Sequence, residues 1–164
     1  MDGSGLTFED AFRAEYVGVV RTISPIVGSV EDAEALTQDA FVKAYTRWKR
    51  IGGYDRPGAW IRRVAIRDAV RFADRHPQPV TDPPHQRDAT EPVAGSLDLD
   101  DAIRRLPPKQ RACVVLHYLA DWPVGDVAEA IGCREATVRV HLHRARGALA
   151  AALEPAEQEM NDGR

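Results

Sequence analysis

A proline-rich segment near the middle of the chain limits what this sequence can fold into. Residues 76–95 contain five of the chain's eleven prolines, set among Asp, Thr, Gln and His. Proline fixes φ and removes a backbone donor, so a stretch this rich in proline forms neither a regular helix nor a central strand. The segment is therefore predicted to be an extended linker between two small domains.

The first domain is predicted to consist of three helices. Signals of the Ser/Thr-x-x-acid type at Thr7 and Ser29 open helices that span roughly residues 8–24 and 30–49. A pair of glycines ends the second helix, and a third covers about residues 59–74. Apolar residues recur at helical spacing in each, and no segment alternates as a half-buried strand would. The predicted fold class is all-α.

Residues 106–149 have the pattern of a helix-turn-helix DNA-binding domain. The run WPVGDVAEAIG at residues 122–132 predicts a short scaffold helix ended by glycine, and a basic second helix begins near Arg134. The buried stripe of that second helix is predicted to contain Val138, Leu142, Ala145 and Leu149. The residues that lie off this stripe are Thr137, Arg139, Val140, His143, Arg144 and Arg146.

Charge is segregated along the chain although the net charge is only −3. Residues 1–40 contain eight acids and two bases, whereas residues 41–76 contain ten bases and three acids, a local net charge of +7. Aromatic residues are interleaved with this basic block, which suits a polyanion whose bases stack on aromatic rings. The alternative interpretation is a solvated helical face over an aromatic core.

Composition and motifs exclude several classes of protein. The chain is 44% hydrophobic and 29% charged, as in ordinary globular proteins, and it has no apolar run near the roughly 18 residues of a membrane span. Its first residues lack a signal-peptide pattern, so a cytoplasmic protein is expected. Cys113 and Cys133 lack metal-ligand spacing and are expected to be reduced thiols. Because no catalytic or phosphate-binding motif is found, we expect no enzyme, cofactor or metal.

Four segments resemble those of the extracytoplasmic-function (ECF) group of bacterial RNA polymerase sigma factors. DAEALTQDAFVKAY (residues 32–45) is similar to the polymerase-binding helix of sigma region 2, and PGAWIRRVA (residues 57–65) to the start of its minus 10 recognition helix. LPPKQR (residues 106–111) and TVRVHLHRAR (residues 137–146) are similar to sigma region 4. The resemblance implies four parts, namely region 2 at 6–75, a linker at 76–96, region 4 at 97–153 and an acidic tail at 154–164.

The resemblance also implies a two-part promoter clamp without catalysis of its own. Its expected partners are core RNA polymerase, through the beta-prime clamp and the beta flap, together with promoter DNA and an anti-sigma factor, without direct membrane insertion. The positions matching polymerase contacts are Glu34, Gln38, Asp39, Phe41, Val42 and Tyr45, of which Phe41 and Tyr45 also fit a buried stripe. Those matching minus 10 contacts are Trp60, Arg63, Arg67 and Arg71. Those matching minus 35 contacts are Arg134, Thr137, Arg139, Val140, His143 and Arg144.

The chain departs from the family pattern at several of these positions. Arg67 and Asp68 follow a stretch after which the family usually has Asn. Arg134 replaces the usual Ser or Thr cap of the recognition helix, which costs about 1 kcal/mol of local stability. Val140 lies within a triplet that is commonly Lys-Ser-Arg, and it can contact a thymine methyl but cannot donate a hydrogen bond. This change in the triplet predicts an unusual promoter sequence.

Two further hypotheses bear on how the chain acts. A dimeric helix-turn-helix regulator that is not a polymerase subunit would bind a two-fold operator by itself, but the basic block at residues 41–76 argues against it. Separately, the acidic N-terminal end of region 2 could attract the basic recognition helix. The free protein would then fold back and hide its DNA-binding face.

Overall fold

The described part of the chain is helical apart from its turns. The computed structural model describes residues 5–77 and 94–153, and these contain no strand, which confirms the all-α prediction. The first unit consists of α1 (Phe8–Val27), α2 (Val30–Thr46), α3 (Trp48–Ile51) and α4 (Pro57–Arg75). The second unit consists of α5 (Ala94–Arg104), α6 (Pro108–Val114), a π-helical segment (Val115–Leu119), α7 (Val124–Ile131) and α8 (Glu135–Leu153). Over these residues, no helix combines the length and apolar character needed to cross a bilayer.

The predicted linker and tail fall largely outside the described residues. α4 ends at Arg75, one residue before the predicted linker, and α5 already begins at Ala94, ahead of the predicted residue 97. Most of the predicted linker at 76–96 and all of the tail at 154–164 lie outside the part of the chain that the structure describes. Their boundaries stay predictions.

The two predicted helix-start signals are confirmed by their hydrogen bonds. The Thr7 hydroxyl accepts from the Asp10 backbone N–H at 3.1 Å, and the Asp10 carboxylate accepts from the Thr7 backbone N–H at 3.2 Å. Together these form a complete capping box. The Ser29 hydroxyl accepts from the Asp32 backbone N–H at 3.2 Å. Between them, Gly28 adopts φ 81° and ends α1, a left-handed conformation that a Cβ would strain.

Burial extends α1 beyond its predicted end. The helix continues to Val27 even though Pro25 lies within it and removes one backbone donor. Ile23, Ile26 and Val27 are all buried, and this apolar burial offsets the lost hydrogen bond. The helix therefore ends where its buried face ends, at the glycine that follows.

One hydrophobic core runs through both units, with α4 at its centre. This helix packs against α1 and α2 of its own unit and against α6 and α7 of the second unit. Its buried surface is consequently wide, and it includes Ile61, Ala65, Ile66, Ala69, Val70 and Ala73. α1 also contacts α6 and the π-helical segment. The two predicted domains therefore pack directly against each other.

A buried arginine joins the two units. Arg111 on α6 is only 5% exposed. Its guanidinium donates to the carbonyl oxygens of Ile26 at 2.7 Å, Arg104 at 2.7 Å and Leu106 at 2.9 Å. Burial lowers the pKa of Arg111, and the three carbonyls accept from its two terminal nitrogens, while its Nε is buried without a hydrogen-bond partner among the described residues. Because Ile26 belongs to α1, one of these bonds crosses between the units.

Both cysteines are free thiols, in agreement with the expectation from sequence. Cys113 is buried and Cys133 is half-buried. Burial raises the pKa of Cys113 to about 12, so this thiol is protonated and unreactive at neutral pH.

Candidate nucleic-acid and polymerase interfaces

The predicted recognition helix α8 has one buried stripe and a broad exposed face. Val138, Leu142 and Ala145 are buried, and Leu149 is partly buried against the same core. Gly132, with φ 82°, ends α7 and directs the chain into α8. The six predicted minus 35 contacts are all exposed, and they are Arg134, Thr137, Arg139, Val140, His143 and Arg144.

The exposed face of α8 is basic and carries few internal contacts. Arg139 forms an exposed ion pair with Glu135 one turn earlier, at 3.3 Å. Arg146 donates to the Tyr118 hydroxyl at 2.7 Å, which ties this arginine to the π-helical segment. His141 is half-buried, and burial together with Lys109 and Arg144 lowers its pKa. It therefore belongs to the packed side of the helix, whereas His143 faces outward.

The arrangement of α8 predicts which arginine binds phosphate. We expect Arg144→Ala to weaken binding to random-sequence duplex DNA and to reduce the slope of log affinity against log salt by about 0.9, because one phosphate contact is lost. Arg146→Ala removes the same charge from the same helix. Because the guanidinium of Arg146 already donates to the Tyr118 hydroxyl, we expect this substitution to change the slope less. Fluorescence anisotropy over a salt series measures both slopes. Equal slope changes in the two variants would contradict the assignment.

Two of the predicted minus 10 residues on α4 are engaged by the second unit. Arg63 pairs with the Glu129 carboxylate at 2.8 Å. Arg67 donates to the backbone carbonyls of Ala130 at 3.2 Å and Glu129 at 3.1 Å. Arg71 is exposed, and Trp60 is half-buried. The four predicted residues thus lie on α4 as expected, but two of them contact the C-terminal end of α7, for which the sequence provided no signal.

An open cleft of about 790 Å³ separates the start of α4 from the start of α7. Trp60 and Trp122 both line it, together with Tyr54 and a mixture of arginines and acids. Its walls therefore combine aromatic rings with charges of both signs. Trp60, which was predicted from the sequence to contact DNA, is one of the residues that line this cleft.

The predicted polymerase contacts on α2 separate into exposed and buried residues. Glu34, Gln38, Val42 and Tyr45 are exposed and lie along one side of the helix, with Val42 60% and Tyr45 66% exposed. We call these four residues the α2 row. Exposed apolar side chains beside polar ones are typical of a surface that binds another protein.

Phe41 differs from the α2 row because it lies beneath the surface. It is 2% exposed and contacts the ring of Phe12 at a centroid distance of 4.9 Å and that of Phe8 at 6.2 Å. Of the two residues that fitted both a contact and a buried stripe, Phe41 is therefore in the core. Tyr45 stays exposed while its ring packs against Phe8 at 5.1 Å.

The residues of α1 that adjoin the α2 row were not predicted from the sequence. Phe12 is 39% exposed, and the Tyr16 hydroxyl accepts from the Gln38 amide at 3.5 Å. Phe8, Phe12 and Tyr16 recur every fourth residue, so the aromatic stripe was visible as a signal. The sequence alone did not show that α1 would place this stripe beside α2.

Asp39 lies apart from the α2 row. It is exposed but turns toward α4, where it lines a shallow groove with Lys43 and Arg71. In the same groove, Lys43 pairs with Asp68 at 2.6 Å. The six predicted polymerase contacts therefore occupy three environments, and only four of them share one face.

Comparison with known proteins identifies two matching family models. A model described as Sigma-70 region 2 matches residues 3–76, and one described as Sigma-70, region 4 matches residues 96–149. The first match covers the unit that carries the α2 row, and the second covers the helix-turn-helix.

Curated relatives and a solved structure match across both units. The RNA polymerase sigma-E factor of Streptomyces antibioticus is 34% identical over 157 residues, which cover 93% of this chain and 87% of that protein. The ECF RNA polymerase sigma factor SigM of Mycobacterium tuberculosis is 31% identical over 153 residues, covering 90% and 78%. The sigma factor RpoE of Bartonella quintana, solved in complex with the anti-sigma factor NepR, has a TM-score of 0.63 at 19% identity, covering 90% and 97%. That structure shares the fold.

Proposed function

This chain belongs to the ECF RNA polymerase sigma factors, and on that premise we propose which of its surfaces bind core polymerase and which bind promoter DNA. As a sigma factor it is a transcription initiation factor and not an enzyme. It binds core RNA polymerase and directs initiation at promoters. The assignment of particular residues to these tasks is the proposal.

The α2 row binds the beta-prime clamp of core polymerase. The observation that carries this assignment is the exposure of Val42 and Tyr45 beside Gln38 on a helix whose other side is fully packed. A rigid helix with an apolar and polar exposed row can dock without reordering, which lowers the entropic cost of binding. Phe41 supports this row from below, whereas Asp39 lies on the adjoining face of α2, toward α4.

The two recognition helices contact different promoter elements. α8 enters the major groove of the minus 35 element, where its arginines bind phosphate or guanine and Val140 meets a thymine methyl. α4 contacts the minus 10 element as it melts, through Trp60, Arg63, Arg67 and Arg71. Unstacking a base costs a few kcal/mol, and stacking with phosphate contacts offsets that cost.

The remaining partners follow from the same function. The second unit contacts the beta flap of polymerase, and an anti-sigma factor covers the α2 row when transcription is not required. The protein acts in the cytoplasm, where promoter DNA and polymerase are found. The sigma factor of Bartonella quintana that shares this fold was solved with an anti-sigma factor, which supports looking for one here.

Co-purification with bacterial core polymerase tests the polymerase surface. We expect the tagged full chain to retain stoichiometric core polymerase, and a double variant carrying Gln38→Ala and Asp39→Lys to lose it, because Gln38 belongs to the α2 row and the reversed charge at Asp39 lies on the adjoining face of the same helix. Asp126→Lys is the charge-matched control, at an exposed residue of α7. Wild-type retention by the double variant would contradict the assigned surface. Absence of polymerase, with dimeric binding to duplex DNA, would favour a conventional regulator.

A further inference from the structure

The start of α4 lacks the capping devices that begin α1 and α2. Within this described part of the chain, no side chain caps its N-terminus, and its first turn contains no acid. The helix opens instead with Pro57, which has no N–H to satisfy, after an exposed loop at residues 53–56. The unpaired amides of a helix N-terminus carry partial positive charge, so a negative group packed against them stabilises the first turn.

A carboxylate from α1 lies against this start. Glu15 approaches Gly58, the second residue of α4, so closely that a Cβ at Gly58 would overlap its Oε1. Its other oxygen, Oε2, accepts from the Arg62 guanidinium at 3.0 Å, one turn further along α4. The Glu15 and Arg62 side chains are only 23% and 38% exposed, so water screens this pair less than an ordinary surface pair. One side chain of α1 therefore holds two points on the first turns of α4.

Trp60 lies between the two points that Glu15 holds. It is half-buried and lines the open cleft between α4 and α7. Because Gly58 and Arg62 flank it by two residues on either side, anchoring both fixes the direction in which the indole ring leaves the helix. A binding side chain has to be held within about 0.5 Å of its working position, and supporting residues provide that precision.

We propose that Glu15 is a positioning residue for minus 10 recognition. Its carboxylate anchors the uncapped first turn of α4 on α1 and so determines where Trp60 meets an unstacked base. Glu15 acts through Trp60 and not on the DNA, since a negative charge repels phosphate. The inference rests on the proposed function, which gives Trp60 its role in binding DNA.

Glu15→Gln isolates the charge from the packing. The amide fills the same space as the carboxylate, so no cavity is left. It is neutral, however, and its NH₂ group is a donor where both neighbours, the Arg62 guanidinium and the helix N-terminus, require an acceptor. The variant should therefore remain folded and keep its polymerase-binding α2 row while the start of α4 is released from α1.

The minus 10 preference of the full chain bound to core polymerase tests this role. The probes are duplexes selected by the wild-type complex from a pool with randomised minus 10 and minus 35 elements, and the same duplexes with one element scrambled. We expect Glu15→Gln to lower the affinity ratio of selected to scrambled minus 10 by about 5-fold or more, the effect of losing one base contact. The corresponding minus 35 ratio should keep its wild-type value. Loss of folded protein lowers all affinities alike and changes neither ratio.

Three further variants locate the effect. Glu9→Gln removes the same charge from an exposed position on α1 and should leave the minus 10 ratio unchanged. Gly58→Ala keeps Glu15 but displaces its carboxylate, so it should reproduce the loss. Trp60→Ala should lower the ratio, and adding Glu15→Gln to it should cause little further loss, because the two residues act as one unit.

The outcomes separate this inference from the proposed function. A lowered ratio in Trp60→Ala with a wild-type ratio in Glu15→Gln would overturn the positioning role and leave the DNA role of Trp60 standing. An equal loss in Glu9→Gln, or a full further loss in the double variant, would also contradict positioning through Trp60. A wild-type ratio in Trp60→Ala, or no minus 10 preference in the wild-type complex, would overturn the proposed function of this helix start and the inference with it.

Discussion

Phe41→Ala should lower the free energy of unfolding by about 3–5 kcal/mol, whereas Tyr45→Ala should change it by about 1 kcal/mol or less. Phe41 is 2% exposed and lies among the rings of Phe8, Phe12 and Tyr16, so its removal leaves a cavity. Tyr45 is 66% exposed and loses mainly its contact with Phe8. Urea unfolding followed by circular dichroism measures both changes.

Variants at the same two positions distinguish a residue that supports the α2 row from one that contacts polymerase. Tyr45→Ala should fold normally yet retain much less core polymerase, since it removes a large exposed ring from the α2 row. Phe41→Leu keeps most of the buried volume and should retain polymerase. If Phe41→Ala were as stable as Tyr45→Ala, the packing of α1 against α2 described here would be wrong.

Arg111→Ala should lower the free energy of unfolding by about 3 kcal/mol or more, and it should loosen the packing of the two units against each other. The substitution leaves three carbonyl oxygens without their donor, and those of Ile26 and Leu106 belong to buried residues. It also removes the bond from α6 to α1, which is the polar link between the units at that point. Arg111→Lys should recover only part of the loss, because an ammonium cannot reach all three oxygens in the geometry of a planar guanidinium.

Arg105→Ala is the matched control for Arg111. Arg105 is an exposed arginine just before α6. Its removal should therefore leave the free energy of unfolding within about 0.5 kcal/mol of the wild-type value. Thermal and urea unfolding give the stability, and small-angle scattering gives the separation of the units. A stable, compact Arg111→Ala variant would show that apolar packing alone holds the units together.

Most helices and their starts were predictable because their signals are local. The caps at Thr7 and Ser29 and the glycine after α7 act within one turn of the chain, and the apolar spacing of α8 identified its buried stripe. The extent of α1 was not predictable in the same way. Its last turn contains Pro25 and is retained because Ile26 and Val27 are buried by other helices.

The residues of the candidate sites could be predicted from the sequence, but which of them share a surface could not. Phe41 and Tyr45 fit the same pattern on α2, and only the position of α1 buries the first while the second stays exposed. Arg63 and Arg67 belong to the basic block that the charge pattern identified, yet their partners on α7 lie more than sixty residues away in the chain. A charge pattern cannot show which distant helix end will meet it.

By itself, the sequence determined the helical fold class, the helix-turn-helix and the family. Helix caps, apolar periodicity and short motifs each depend on residues that lie close together in the chain. The tertiary structure alone decided that α4 packs against helices of both units, that Arg111 is buried across their boundary and that α7 engages Arg63 and Arg67. These outcomes depend on which apolar faces pack together, and packing depends on shape and volume over the whole chain rather than on local pattern.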